Sequence, residues 1–252
     1  MDMRTGCHLV LTVLGISALW LSSCVRMPSA QRLVVFAPPP VEIPPDTPDA
    51  PEWRQYPAYP LRTAGRRTQA PVYEQGIVRL CRTDDALFLN IQCEDTDVVQ
   101  EARRDNAPLY QFGDTVEVFL RPPGGLQYWE FLAGPDGTTA AYCFPSEGRR
   151  LPSCLLATGL PGLSCQAAVD GTLNEPEDRD RGWRCVVRIP LAALARERPL
   201  DFSRPWLFMV ARYNYSIYLE HCELTQIGQT RSDFPDFHNF DSYSLLYFTR
   251  PK

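Results

Sequence analysis

Histidine is scarce in this chain: only His8, His221 and His238 occur in 252 residues. With no Cys-x-x-Cys spacing either, the sequence offers no zinc or metal-thiolate centre. No glycine-rich phosphate loop, nucleophile elbow or zinc-protease helix motif is present, so the common catalytic signatures are missing. Basic residues occur as isolated pairs such as Arg66-Arg67 and Arg103-Arg104, and the formal net charge is −5. A surface that tracks phosphates needs clustered cations, so nucleic acid is not an expected partner. Helical periodicity is nearly absent, and one long apolar run, Leu9 to Leu21, stands at the N-terminus.

That run has the length of a signal-peptide core and is short for a spanning helix. Arg4 precedes it, and it ends in Leu21-Ser22-Ser23-Cys24, which resembles a bacterial lipobox. The expectation is a signal peptide over residues 1–23 and a lipid on Cys24, anchoring the chain to a membrane. Val25 stands where an Asp would retain a lipoprotein at the inner membrane, so the cell envelope, at the outer membrane, is the expected location. Residues 24–45 lie within a proline-rich stretch and read as a tether, because proline blocks helix and central-strand pairing. The folded domain is expected over 46–252, starting no earlier than Val34, with Trp53 docked on it because a solvated tryptophan is costly.

Nine cysteines are many for this length. Export permits disulfides, and Cys143 with Cys154 and Cys165 with Cys185 are local candidate pairs. From Gly76 onward, short segments alternate apolar and polar side chains with period two. Examples are Leu87, Leu89, Ile91 and Cys93 on one face, and Val116, Val118 and Leu120 on another. Such alternation makes half-buried strands, and Asp84-Asp85, Pro122-Pro123-Gly124-Gly125 and Gly134-Pro135-Asp136-Gly137 are turns between them. A helical turn is expected near Val98–Arg103 and another at Leu191–Leu194. The fold class that follows is all-β: one antiparallel β-sandwich, immunoglobulin- or jelly-roll-like, with one or two short helical turns.

The ordered motifs resemble the carbohydrate-binding module family 9-like domain, a relative of the DOMON-type sandwiches. They are Trp53, Asp84 to Leu89, Gly113-Asp114-Thr115-Val116-Glu117-Val118-Phe119-Leu120, Tyr128-Trp129-Glu130-Phe131, Gly182-Trp183 to Ile189-Pro190, Trp206 with Arg212, and Asp236-Phe237-His238-Asn239 to Leu245. The resemblance implies non-catalytic binding of a glycan or oligosaccharide. It also implies that two aromatic rings clamp the sugar, at the places of Tyr110 and Phe237. Both are tryptophan in the family's well-known binders. The arginine expected on the strand after Tyr128–Phe131 is absent, and Phe240 and Ser244 replace the closing Pro and Gly.

Further candidate ligand contacts come from the strands themselves. Trp129 shares a face with Phe131 and can be core or ligand contact. Arg212 alternates with Phe208 and Val210 and so points inward, where it needs a carboxylate; Glu117 is one candidate. Tyr213 and Tyr215 alternate with Asn214 near a strand end. Asp95 and Asp97, with Asp105 or Asp114, could hold a structural calcium, although the spacing is not that of an EF-hand. The alternative function is a structural or assembly lipoprotein of the envelope, whose sandwich makes protein–protein contacts and has no sugar site.

Overall fold

The structure is a computed structural model and describes residues 32–39, 46–68, 71–148, 159–195 and 199–248. The strands are β1 (Val34–Ala37), β2 (Tyr59–Thr63), β3 (Gly76–Arg82), β4 (Ala86–Cys93), β5 (Thr115–Arg121), β6 (Tyr128–Ala133), β7 (Thr139–Phe144), β8 (Ser164–Asp170), β9 (Gly182–Pro190), β10 (Trp206–Asn214), β11 (Glu223–Ile227) and β12 (Ser244–Phe248). They follow one hydrogen-bonded path, β7-β6-β5-β10-β11-β2-β3-β4-β9-β8, with β12 beside β10 and β1 beside β12. The β11–β2 pair joins two layers, one built around β5 and β10, the other around β4 and β9. Every pairing is antiparallel except β1 with β12.

Two-fold alternation explains why these segments are strands and which side each buries. Leu87, Leu89 and Ile91 from one layer meet Val116, Val118, Phe208 and Val210 from the other in a single core. Most of the remaining side chains of β4 are also covered. Phe88 packs with Trp53, Tyr56 and Val186 on the far side of that layer, and Asn90 Nδ2 donates to Pro48 O at 2.9 Å. Trp53 therefore docks as expected, on a 3₁₀ turn spanning Pro51–Gln55.

Three expectations change. The stretch 24–45 contains β1, paired in parallel with the last strand, so its later part belongs to the sheet. A four-residue strand is masked, in sequence, by the prolines around it. No helical turn forms at Val98–Arg103; Gln100 instead bridges Gly113, and the 3₁₀ turn lies at Leu109–Gln111. The thiols of Cys81, Cys93, Cys165, Cys185 and Cys222 are free of disulfides. Cys165 and Cys185 do come together, but as a hydrogen-bonded pair of thiols rather than a disulfide. Cys154, Cys24 and the whole signal segment fall outside the described residues. Among the described residues, no helix is long and apolar enough to cross a membrane.

Candidate functional site

The face of β5, β6, β7 and β10 that turns away from the other layer carries the candidate site. Register fixes its members: Glu117 lies beside Ala211, which lies beside Gln226, in one cross-strand row. Phe119 pairs with Glu130 and Glu130 with Tyr142 in the neighbouring row. Two loops roof this face.

The loop of residues 101–112 presents Tyr110. Its Ala102, Ala107 and Leu109 pack on Leu132 and Ala140 of the sheet. Gln100 anchors it: Nε2 donates to Asp114 O at 3.0 Å, and Oε1 accepts from Ala102 N at 2.9 Å. Gly113 closes the loop at φ +145°, where a Cβ would stand 2.1 Å from Val99 O. Only glycine fits that approach. Tyr215 then donates to Tyr110 O at 2.7 Å.

The segment before β12 presents Phe237. Tyr243 donates its hydroxyl to Phe237 O at 2.9 Å, and His238 Nδ1 meets the Tyr128 hydroxyl at 2.8 Å. Tyr110 is half-buried and Phe237 only 6% exposed, so the rings do not face one another across an open cleft. Tyr213 stands between them. Its ring is 5.5 Å from Tyr110 and 5.6 Å, edge to face, from Phe237. The three rings form one continuous row, within the separations at which aromatic pairs attract.

Next to this row lie two acids. Glu117 is 2% exposed and Glu130 5%, and their side chains hydrogen-bond one another. Two carboxyl groups can do so only if one keeps its proton. Burial, then the neighbouring Glu130, pushes Glu117 well above the usual carboxylate range. Burial first, and this pair next, also raises Tyr142, up to about 12, and pushes Tyr213 up. On the same face, Gln226 Nε2 is buried without a hydrogen-bond partner. The site thus offers flat apolar rings, an acid pair, phenolic hydroxyls and an unused amide donor.

A first prediction follows from Glu117. Its pKa is higher in the folded than in the unfolded chain, so its contribution to stability is complete below the ordinary value of 4.5 and is lost as pH rises toward the folded value. Glu117→Gln removes that loss. The variant should gain on the wild type by up to about 1.4 kcal/mol per pH unit above that point. Urea unfolding between acid and neutral pH reads the effect, and parallel stability profiles contradict it.

Other sequence candidates are placed elsewhere. Trp129 is 1% exposed and stacked on Phe131 in the core between the layers. Arg212 points inward as expected, but Glu117 lies on the opposite face and is not its partner. The partner is Asp95, at 2.9 Å, with Glu74 O, Glu94 O and Asn214 Oδ1 completing the set. Trp129 thus takes the core role, and Arg212 the structural ion-pair role, that the sequence also allowed. The acids considered for calcium have other partners. Asp97 accepts from Ile217 N, Asp105 from Thr139 N, and Asp114 from Val99 N and Tyr215 N. These acids fasten loops, and among the described residues no three metal-ligating acids, histidines or cysteines gather. Gln226 escaped sequence reading because β11, Glu223-Leu224-Thr225-Gln226-Ile227, is short and has no apolar alternation.

No family model matches the sequence, and no curated protein does. Solved structures do share the fold. A candidate carbohydrate-binding protein from Bacteroides uniformis superposes with a TM-score of 0.72 at 16% identity, covering 87% of this chain and all of that one. A carbohydrate-binding module of family 9 from Caldicellulosiruptor kristjanssonii, solved with cellotriose, gives 0.55 at 12% identity over 87% of this chain and 95% of its own. The same kind of module from that organism with glucose gives 0.55 at 10% identity, over 87% and 97%. At such identities the likeness is one of fold, and it is the fold the motifs led us to expect.

Proposed function

We propose that this chain is a non-catalytic carbohydrate-binding protein of the cell envelope that holds a glycan on the outer face of β5, β6 and β10. One observation carries the reading: the Tyr110–Tyr213–Phe237 row lies beside Glu117, Glu130 and Gln226 on a single sheet face. Sugar rings present C–H faces that pack on aromatic rings and hydroxyls that need convergent polar partners. The solved structures with cellotriose and glucose, which share this fold, support the ligand class. Binding without chemistry is favoured by the acid pair itself. Glycosidases hold their two carboxyls about 5 Å or more apart, whereas hydrogen-bonded carboxyls sit closer.

Titrating the chain against neutral oligosaccharides, with cellotriose first, tests the reading. Binding that weakens by about 1–3 kcal/mol in Tyr110→Ala, the scale of an aromatic anchor, supports it. Binding unaffected by that change moves the site, and no binding to any glycan favours the protein-contact alternative. That alternative is favoured by the exposed Phe36–Tyr247 pair on β1 and β12.

Envelope display rests on Leu21-Ser22-Ser23-Cys24. Cells fed labelled palmitate should lipidate the wild-type chain and release a Cys24→Ser chain from the membrane fraction. Label retained in the variant contradicts an anchor at Cys24.

A further inference from the structure

The edge formed by β1 and β12 is a second surface, and its role rests on the lipid anchor proposed above. We propose that this edge lies against the membrane, with Phe36 and Tyr247 in the headgroup layer of a bilayer that contains anionic phospholipid.

The first observation is what the edge shows outward. Val35, Ala37, Leu246 and Phe248 turn into the core, so alternation sends Val34, Phe36, Leu245 and Tyr247 the other way. None of these four carries charge. Register pairs Val34 with Leu245 and Phe36 with Tyr247, and Leu207 of β10 continues the first row. Phe36 is 43% and Tyr247 36% exposed, with ring centres 6.0 Å apart. Sheet edges are ordinarily protected by charge, because an apolar one invites association. A phenyl ring beside a phenol, apolar in body and polar at one tip, suits the boundary between acyl chains and water.

The second is where the chain enters the edge. Arg32 stands eight residues after Cys24, a reach of about 28 Å at full extension. A domain of this size is on the order of 40 Å across. A tether shorter than the domain holds the edge it joins toward the bilayer. Arg32 fixes that end: its Nη1 donates to Phe240 O at 2.7 Å and to Tyr243 O at 3.0 Å.

The third is charge. The chain has a net charge of −5, yet residues 25–40 and 244–252 hold Arg26, Arg32, Arg250 and Lys252 and no Asp or Glu. Those two stretches are β1 and β12 with their flanks. Arg121, at the end of the Leu207 row, adds a cation bonded to Gly125 O at 2.9 Å. Asp241, the acid at this end, lies 3.8 Å from Arg32. Cations beside an apolar surface are drawn to anionic headgroups. Tether and charge together select a lipid surface over a second protein chain.

Docking this edge suits the glycan reading. β10 passes from Leu207 at the edge to Tyr213 in the aromatic row, six residues on, or about 20 Å of strand. The row is thereby held clear of the headgroups.

The lipidated chain carrying Phe36→Trp is reconstituted into vesicles of phosphatidylcholine and phosphatidylglycerol, with ordinary or brominated acyl chains. Trp53, Trp129, Trp183 and Trp206 are at most 1% exposed, so the added indole is read against the wild type. Its emission should shift to the blue and lose most of its intensity in brominated lipid. The loss should shrink in phosphatidylcholine alone, in high salt and with Tyr247→Ser. Ile217→Trp, past the Tyr213 end of β10 and 62% exposed in the wild type, should show no such loss. Equal emission of Phe36→Trp in the two lipids, or equal quenching at position 217, overturns the docking and leaves the anchor, read by palmitate labelling, in place. A blue shift that grows with protein concentration and ignores bromine gives the edge to a second protein chain and overturns it too. A chain that takes no palmitate overturns the anchor, and the docking with it.

Discussion

Replacing Arg212 with Met is expected to lower folding stability by about 3–5 kcal/mol at neutral pH, the cost of stranding a buried charge by removing its partner. Arg212 is fully buried, and its guanidinium serves Asp95, Asn214 and the carbonyls of Glu74 and Glu94 from both layers at once. Burial opposes its charge, yet Cys93, Asp95, Asp114 and Glu74 together hold its pKa above the ordinary value. The acids are in the reverse position. Burial pushes Asp95 up to about 6 even with Arg212 beside it, and Asp114 is pushed well above the usual range. Without the guanidinium both should rise further and take up protons on folding.

The cost must then depend on pH. Raised carboxyls favour folding in acid and lose that contribution as pH rises, at about 1.4 kcal/mol per unit per group. The Arg212→Met deficit, measured against wild type by urea unfolding, should be smaller at pH 5 than at pH 7. Arg212→Lys should fall between, because an ammonium cannot present the planar fork that spans these acceptors. A deficit below about 1 kcal/mol, or one equal at both pH values, contradicts the account of this network.

Tyr213→Ala should weaken glycan binding by about 1–3 kcal/mol, at least as much as Tyr110→Ala. Tyr213 is the middle ring and touches both others, so its loss breaks the row rather than shortening it. Tyr213→Phe separates the ring from its hydroxyl. If stacking dominates, Phe retains most of the affinity; if the hydroxyl beside the acid pair dominates, Phe behaves like Ala. Unchanged affinity in the alanine variant removes the aromatic row from the site.

Period-two alternation made most of the sandwich legible. β4 and β5 carry it cleanly, and the hairpin of β3 with β4 and the turn after Pro122 follow from it. The strands that escaped, β1, β2 and β11, are short, and β2 contains Pro60. Their place in the sheet comes from partners far along the chain, which no local pattern records. The proposed site drew on a second source. Tyr110 and Phe237 came from the family resemblance and Tyr213 from alternation near a strand end, and neither source gave their order in space. Alternation put Arg212 inward correctly and could not name Asp95, which lies on a loop 117 residues away. Glu117 shares its parity with Phe119, and in a sheet covered on both faces parity alone does not say which side is core.

The central claim is that a glycan sits over Tyr110, Tyr213 and the Glu117–Glu130 pair. Backbone amide shifts recorded while an oligosaccharide is titrated into the labelled chain test it directly. Perturbations gathered at Tyr110, Glu117, Glu130, Tyr213 and Gln226 are the predicted result. Perturbations at the opposite layer, in the groove lined by Gln75, Gln92, Arg181 and Arg184, would contradict it.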